Sequence, residues 1–177
     1  SLVYDGATVP SVLKIFEHSL LVTSHSKDLA LPGERIGYIV VNPKLPEAAL
    51  VFDALVFANR VLGFVNAPAL MQRIITGLQG EAIGTEEYQE RRDILYNHLT
   101  SIGFEVNKPQ GAFYLFPKSP IPDDVAFTQA AIEFNLLLVP GSGFGGPGYF
   151  RIAYCVSRET IKNSLPAFTK LAKKFGL

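Results

Sequence analysis

The chain is poor in cysteine and histidine and carries no surplus of charge, and each shortage removes a class of function. One cysteine among 177 residues cannot form an intrachain disulfide, which suits a reducing compartment. Cytoplasm is the expected location. Three histidines, at positions 18, 25 and 98, show no metal-ligand spacing, so no structural zinc is expected. Sixteen Lys and Arg residues balance sixteen Asp and Glu residues for a formal net charge of zero, and no electrostatic field favours nucleic acid or an anionic membrane surface. Long apolar runs are missing too: residues 20–23 and 136–139 fall far short of the roughly 20 residues that span a bilayer. What is present is 48% hydrophobic content, enough for a real core and incompatible with a disordered chain.

Ser11, after Pro10, opens a short helix over 11–18. Residues 20–23 and 36–41 read as strands buried on both faces, as central parallel strands are. Left without neighbouring strands they would expose ladder groups and apolar surface, so self-association or a rearranged N-terminal half is expected. Residues 46–62 form an almost uncharged apolar helix, suited to burial on more than one face or to a subunit contact, and 66–77 form another. The clearest helix runs over 85–102. There Thr85 can cap, Glu86 and Glu87 occupy the first turn, Tyr88, Leu95, Leu99 and Ile102 share a face, and Gly103 ends it. Strand-like stretches follow at 104–106, 112–116, 136–139 and 149–156, with a helix over 123–134 and a last helix over 157–175 that contains Pro166. Cys155, among apolar neighbours, is expected to be buried and inert. A shift in composition at 80–84 divides the chain into 1–84 and 85–177, the second part α+β. Beginning at Ser1 rather than Met, the chain reads as cut from something larger.

Chemistry concentrates in residues 24–37, Ser-His-Ser-Lys-Asp-Leu-Ala-Leu-Pro-Gly-Glu-Arg-Ile-Gly. A lone lysine on such a turn is ordinarily a solvated surface residue. Its neighbours argue otherwise. Ser24 and Ser26 precede Lys27, Arg35 follows it, and Gly33 and Gly37 let the backbone approach a ligand closely. Hydroxyls with a guanidinium fork suit a phosphate monoester, and the amine beside them suits an aldehyde. By contrast, Gly141, Gly143 and Gly146 fit a dinucleotide-binding spacing, but Pro147, Gly148 and another strand come next, so this is a turn.

The 24–37 segment resembles the signature of the class I/II aminotransferases, fold-type-I pyridoxal-phosphate enzymes, with Ser24, Ser26, Lys27, Gly33, Arg35 and Gly37 in register. His25 departs from it, since an apolar or aromatic residue is usual there. Two later segments agree. Residues 108–117 resemble the family's Pro-x-Gly-Ala-Phe-Tyr stretch, and residues 139–145 with 149–154 resemble its Pro-Gly-x-x-Phe-Gly turn and the strand carrying the substrate-carboxylate arginine.

The resemblance implies an α/β fold for the parent protein. Residues 1–84 would be an incomplete piece of the large pyridoxal-phosphate domain, and 85–177 the α+β small C-terminal domain. Lys27 would bond the cofactor aldehyde and then move the substrate Cα proton, a task lysine performs only where burial or nearby cations favour its neutral form. Arg35, assisted by Ser24, would grip the phosphate. Ser26 either bonds that phosphate as well or is kept small for packing. Arg151 would take the substrate α-carboxylate, and a substrate held by both Lys27 and Arg151 would draw the two parts together and exclude water. The implied activity is transamination between an α-amino acid and a 2-oxo acid with pyridoxal 5′-phosphate, in a homodimer. Elimination, decarboxylation or racemisation on the same cofactor is the alternative, and by itself this chain is expected to be a non-catalytic domain. The family's aspartate at the pyridine nitrogen and tyrosine at O3′ would precede Ser1.

Overall fold

The computed structural model describes residues 2–81 and 83–177. Two compact units result, one of Gly6–Gly84 with Leu2, the other of Thr85–Leu177 with Val3–Asp5.

In the first unit, α1 (Val12–Ile15) leads into β1 (Leu20–Ser24), the single-turn α2 (His25–Asp28), a 3-10 turn at Pro32–Glu34, β2 (Gly37–Val41), α3 (Ala48–Val61) and α4 (Ala69–Gly77). The strands form an antiparallel pair, Leu20 opposite Val41 and Ser24 opposite Gly37. The antiparallel pairing corrects the expectation of strands of the central parallel kind, and their exposure is what was expected of such strands left without neighbours. β1 alternates exposed and half-buried residues, and the first three residues of β2 are exposed. Val22 is 70% exposed. β-branched, apolar composition states what a strand is able to bury; the elements around it decide whether it does. The same holds for α3, which buries none of its residues and leaves Phe57 and Val61 exposed. The unit's core is small: Ile36, Met71 and Ile75 are buried, with Leu29, Leu31, Ala67 and Leu78 packed against them. Asn42, the residue after β2, is buried with its amide nitrogen donating to the carbonyls of Leu13 at 3.0 Å and Phe16 at 2.9 Å, which ties α1 to the end of the strand pair.

The second unit contains α5 (Glu86–Ser101), β3 (Tyr114–Leu115), α6 (Asp124–Ile132), β4 (Val139–Pro140), a 3-10 turn at Gly141–Phe144, β5 (Phe150–Ala153) and α7 (Arg158–Lys174). Its three short strands form an antiparallel sheet in the order β3-β5-β4. Leu95 and Leu99 of α5, Phe127 of α6, Leu115 and Phe150 of the sheet and Ile161, Phe168 and Leu171 of α7 are buried. Phe104 meets Phe127 and Phe150 edge-on, with centroids 6.2 and 5.7 Å apart, an arrangement suited to the ring quadrupoles. Residues 104–106 form no strand; Phe104 serves the core as a buried ring in a loop. Cys155 is exposed, one residue past Tyr154 and beyond the end of β5. The expectation that it is buried is corrected, because the strand ends sooner than its apolar composition suggests.

Two features of this unit carry most of its polar burial. Arg92 of α5 is fully buried. Its guanidinium donates to both carboxylate oxygens of Asp5, at 2.6 and 3.1 Å, to Asp93 at 3.0 Å and to the Pro109 carbonyl at 2.8 Å. Its face lies over the Tyr4 ring. Burial by itself works against this charge, and the two carboxylates outweigh it, so the guanidinium is held more firmly protonated than a free one. Nearby, the hydroxyls of Tyr4 and Tyr154 both donate to the Ala112 carbonyl, and burial pushes both phenols up from their ordinary range.

Candidate active site

Glycine and a tight turn place the lysine. β1 ends at Ser24 and the chain turns at once into α2, so Lys27 sits three residues past the strand on one helical turn. That turn is closed by backbone bonds from His25 N to Ile36 O at 3.0 Å and Leu31 N to His25 O at 3.2 Å. Where the strands meet, a Cβ at position 37 would stand 2.5 Å from the Thr23 carbonyl oxygen, so only glycine allows this approach. Arg35 adopts the left-handed conformation, φ 51° and ψ 47°, which costs a residue with a Cβ about 1 kcal/mol. His25, the departure from the family pattern, turns inward. Its imidazole is buried, 5.6 Å from the Tyr38 ring, with Nδ1 3.3 Å from the Asp28 carboxylate. The imidazole thus stands in, as a ring, for the apolar or aromatic residue usual at that position, and faces the Asp28 carboxylate.

Lys27 is exposed and, with Ser24, lines an open cavity of about 600 Å³ whose wall includes Leu21, Thr23, Asp28 and Tyr38. Arg35 does not line it. Its guanidinium donates to the Pro32 carbonyl at 2.9 Å and borders an adjacent cavity of about 610 Å³ with Gly37, Phe52 and Val56. Thr23 and Tyr38 border both cavities. Ser26 is half-buried and lines neither. The structure thus brings Ser24 and Lys27 together and holds Arg35 one cavity away.

Arg151 lies in the middle of the second unit's sheet, opposite Val139 of β4. Its neighbours Phe150 and Ile152 are buried, and strand alternation turns Arg151 to the other face. Tyr114 pairs with Ala153, so its side chain shares that face and reaches Arg151 along the diagonal. The guanidinium carbon lies 4.5 Å from the Tyr114 ring centroid and 4.0 Å from that of Phe144. Among the described residues no carboxylate lies within ion-pairing distance of it. Phe144 closes the 3-10 turn Gly141–Phe144. That turn is fixed by Gly141 N donating to Tyr149 O at 2.8 Å and Ser142 N donating to the buried Asp124 carboxylate at 2.6 Å. The Ser142 bond holds the Asp124 carboxyl below the usual carboxylate range.

Comparison with known proteins gives this arrangement its context. The family model described as Aminotransferase class I and II matches residues 3–168. The chain belongs to the class I and II aminotransferase family. It is 34% identical over 172 residues to a probable aspartate aminotransferase of Methanocaldococcus jannaschii, covering 93% of this chain and 45% of that protein. It is 30% identical to the aspartate/prephenate aminotransferase of Thermus thermophilus, over 96% of this chain and 45% of the relative. A solved amino transferase from Eubacterium rectale matches 99% of this chain and 44% of its own with a TM-score of 0.96 and 46% identity. The chain therefore spans a little under half the length of the curated relatives it matches.

The family implies pyridoxal phosphate, and the donor set at the lysine turn fits that cofactor in kind: a primary amine and a hydroxyl on one cavity, a guanidinium on the next. Two residues escaped the sequence reading as parts of a site. Tyr114 and Phe144 stand in segments that resemble the family's, yet only the sheet register and the 3-10 turn bring them to Arg151. Arg92 was missed as well. A charged residue on the buried face of an otherwise polar helix, in line with Leu95 and Leu99, signals a buried pair, but its partner Asp5 lies 87 residues away in sequence.

Proposed function

We propose that this chain is part of an aminotransferase that uses pyridoxal phosphate to move an amino group from an α-amino acid to a 2-oxo acid. One observation carries the reading: the Lys27 amine and the Ser24 hydroxyl line one cavity, on a turn that only glycine at position 37 permits. In this proposal residues 1–84 belong to the cofactor domain and 85–177 form the small domain. When bound, pyridoxal phosphate supplies an aldehyde for amines and a ring that withdraws electrons from the substrate Cα.

The chain's own residues supply the rest. Lys27 holds the cofactor covalently through Nζ and, once released, takes and returns the proton at the substrate Cα. Ser24 donates its hydroxyl to the phosphate, and Arg35 adds a two-pronged grip after leaving the Pro32 carbonyl. Ser26 is half-buried and lines neither cavity, which favours its small size over its hydroxyl as the property the turn uses. Arg151 takes the substrate carboxylate with a guanidinium that no carboxylate of the described residues occupies. A homodimer is the assembly we propose, supported by the exposed apolar face of α3. The cytoplasm is its proposed location, supported by the single cysteine. No helix among the described residues is long and apolar enough to cross a membrane.

The test is chemical. The chain is incubated with pyridoxal phosphate, reduced with borohydride and digested, and the pyridoxyl mass is expected on the Lys27 peptide. In the full-length parent protein, Lys27→Ala is expected to abolish turnover. Label spread evenly over surface lysines, with full activity in Lys27→Ala, defeats the assignment.

A further inference from the structure

We infer that Phe144 and Tyr114 are positioning residues for Arg151, holding its guanidinium by the faces so that its N–H edge is presented to a carboxylate. The inference rests on the reading of Arg151 proposed above. A guanidinium is a planar ion with all its donors in the plane and weakly hydrated faces. Ring contacts at those faces stabilise the cation and consume none of its donors. Both rings lie within contact distance, 4.0 Å for Phe144 and 4.5 Å for Tyr114. No side-chain or backbone acceptor among the described residues bonds the Arg151 guanidinium, in contrast to Arg92, whose donors are taken by Asp5, Asp93 and Pro109.

The backbone segments that carry the two rings are anchored, which lets the rings position something else. Phe144 ends a turn anchored at Ser142 N by the buried Asp124 carboxylate and at Gly141 N by the Tyr149 carbonyl. At position 141 a Cβ would collide with the carbonyl oxygens of Gly146 and Tyr149, so only glycine allows the backbone to close this tightly. Tyr114 is locked by its pairing with Ala153 and by the Phe113 ring 4.6 Å away. A long flexible side chain held this way gives up less rotamer freedom when it captures a ligand. The rings thus act on affinity through pre-organisation, not through contact with the carboxylate.

Nuclear magnetic resonance of the Arg151 Nε–Hε group in the full chain tests this directly, with the resonance assigned by its loss in Arg151→Lys. Ring currents are expected to displace it in the unsubstituted chain, and a titration with pyruvate, the smallest 2-oxo acid, is expected to move it further. Phe144→Leu and Tyr114→Leu are each expected to cancel part of the ring displacement and to weaken pyruvate binding about three- to fivefold. Phe144→Tyr and Tyr114→Phe, which keep the rings, should bind as the parent does. An undisplaced Arg151 resonance in the unsubstituted chain overturns the inference even if the leucine variants do not fold. Leucine variants that match the parent in resonance and affinity, while Arg151→Lys binds poorly, overturn it and leave the carboxylate role of Arg151 standing. Undiminished pyruvate binding in Arg151→Lys overturns that role and the positioning built on it.

Discussion

Asp5 and Arg92 show how one residue's charge sets its partner's titration. The hydrogen bond from Arg92 holds the Asp5 carboxyl below the usual carboxylate range. Folded Asp5 therefore keeps its charge at a pH where the unfolded chain has already taken up a proton. Across that window the unfolded state binds more protons and stability rises with pH; the contribution is complete above the ordinary aspartate range and is lost as pH falls through the folded value. Thermal unfolding of Asp5→Asn is expected to show a lower midpoint at neutral pH and a shallower fall below about pH 4. The fall will not vanish, since Asp124 is held down in the same direction by Ser142. A variant with the parent's midpoint and slope would show that the buried guanidinium does not depend on this partner. At the lysine turn the same scale explains why His25 is tolerated. The position is buried beside the Tyr38 ring, and an imidazole packs there while its Nδ1 faces Asp28.

Helix ends separate what local pattern settles from what it leaves open. The apolar period over 85–102 corresponds to α5 (Glu86–Ser101), and Gly103 at φ 96° stops it. Thr85, expected as its cap, has helical dihedrals and makes no side-chain cap bond. Ser157 is extended instead, and its hydroxyl accepts from Thr160 N at 3.0 Å at the start of α7. Ser157→Ala is expected to cost about 1 kcal/mol, and Thr85→Ala no more than a few tenths. Urea unfolding of the two variants measures both, and equal losses would contradict the distinction. The strands were legible as stretches but not in their pairing. Residues 36–41 became β2 (Gly37–Val41), and its antiparallel partner β1 was settled by the reversal of the chain through residues 25–36.

The molecule as a whole leaves much apolar surface on its first unit. Leu50 is 63% exposed, Phe57 70% and Phe64 72%, and large apolar side chains left in water favour association. The 177-residue chain is expected to self-associate at high concentration. Light scattering should show a mass above the monomer that falls toward it in Phe57→Glu. A clean monomer of the unsubstituted chain at high concentration would count against the expectation. The second unit encloses the rings of Phe104, Phe127 and Phe150 between its helices and sheet, though Leu137 and Ile132 remain exposed.

By itself the sequence determined the helical periods, the order of the three motif segments, and the residues bearing an amine, hydroxyls and guanidinium groups at the right separations. Those properties are local: a period, a turn residue or a motif is complete within some dozen positions. Tertiary structure alone decided that Lys27 and Arg35 border different cavities, that Arg151 lies against Phe144 and Tyr114, and that Arg92 is neutralised by Asp5. Each of these depends on which distant segment arrives beside a side chain. That follows from sheet register and from the surface left to bury, which no short stretch of chain contains.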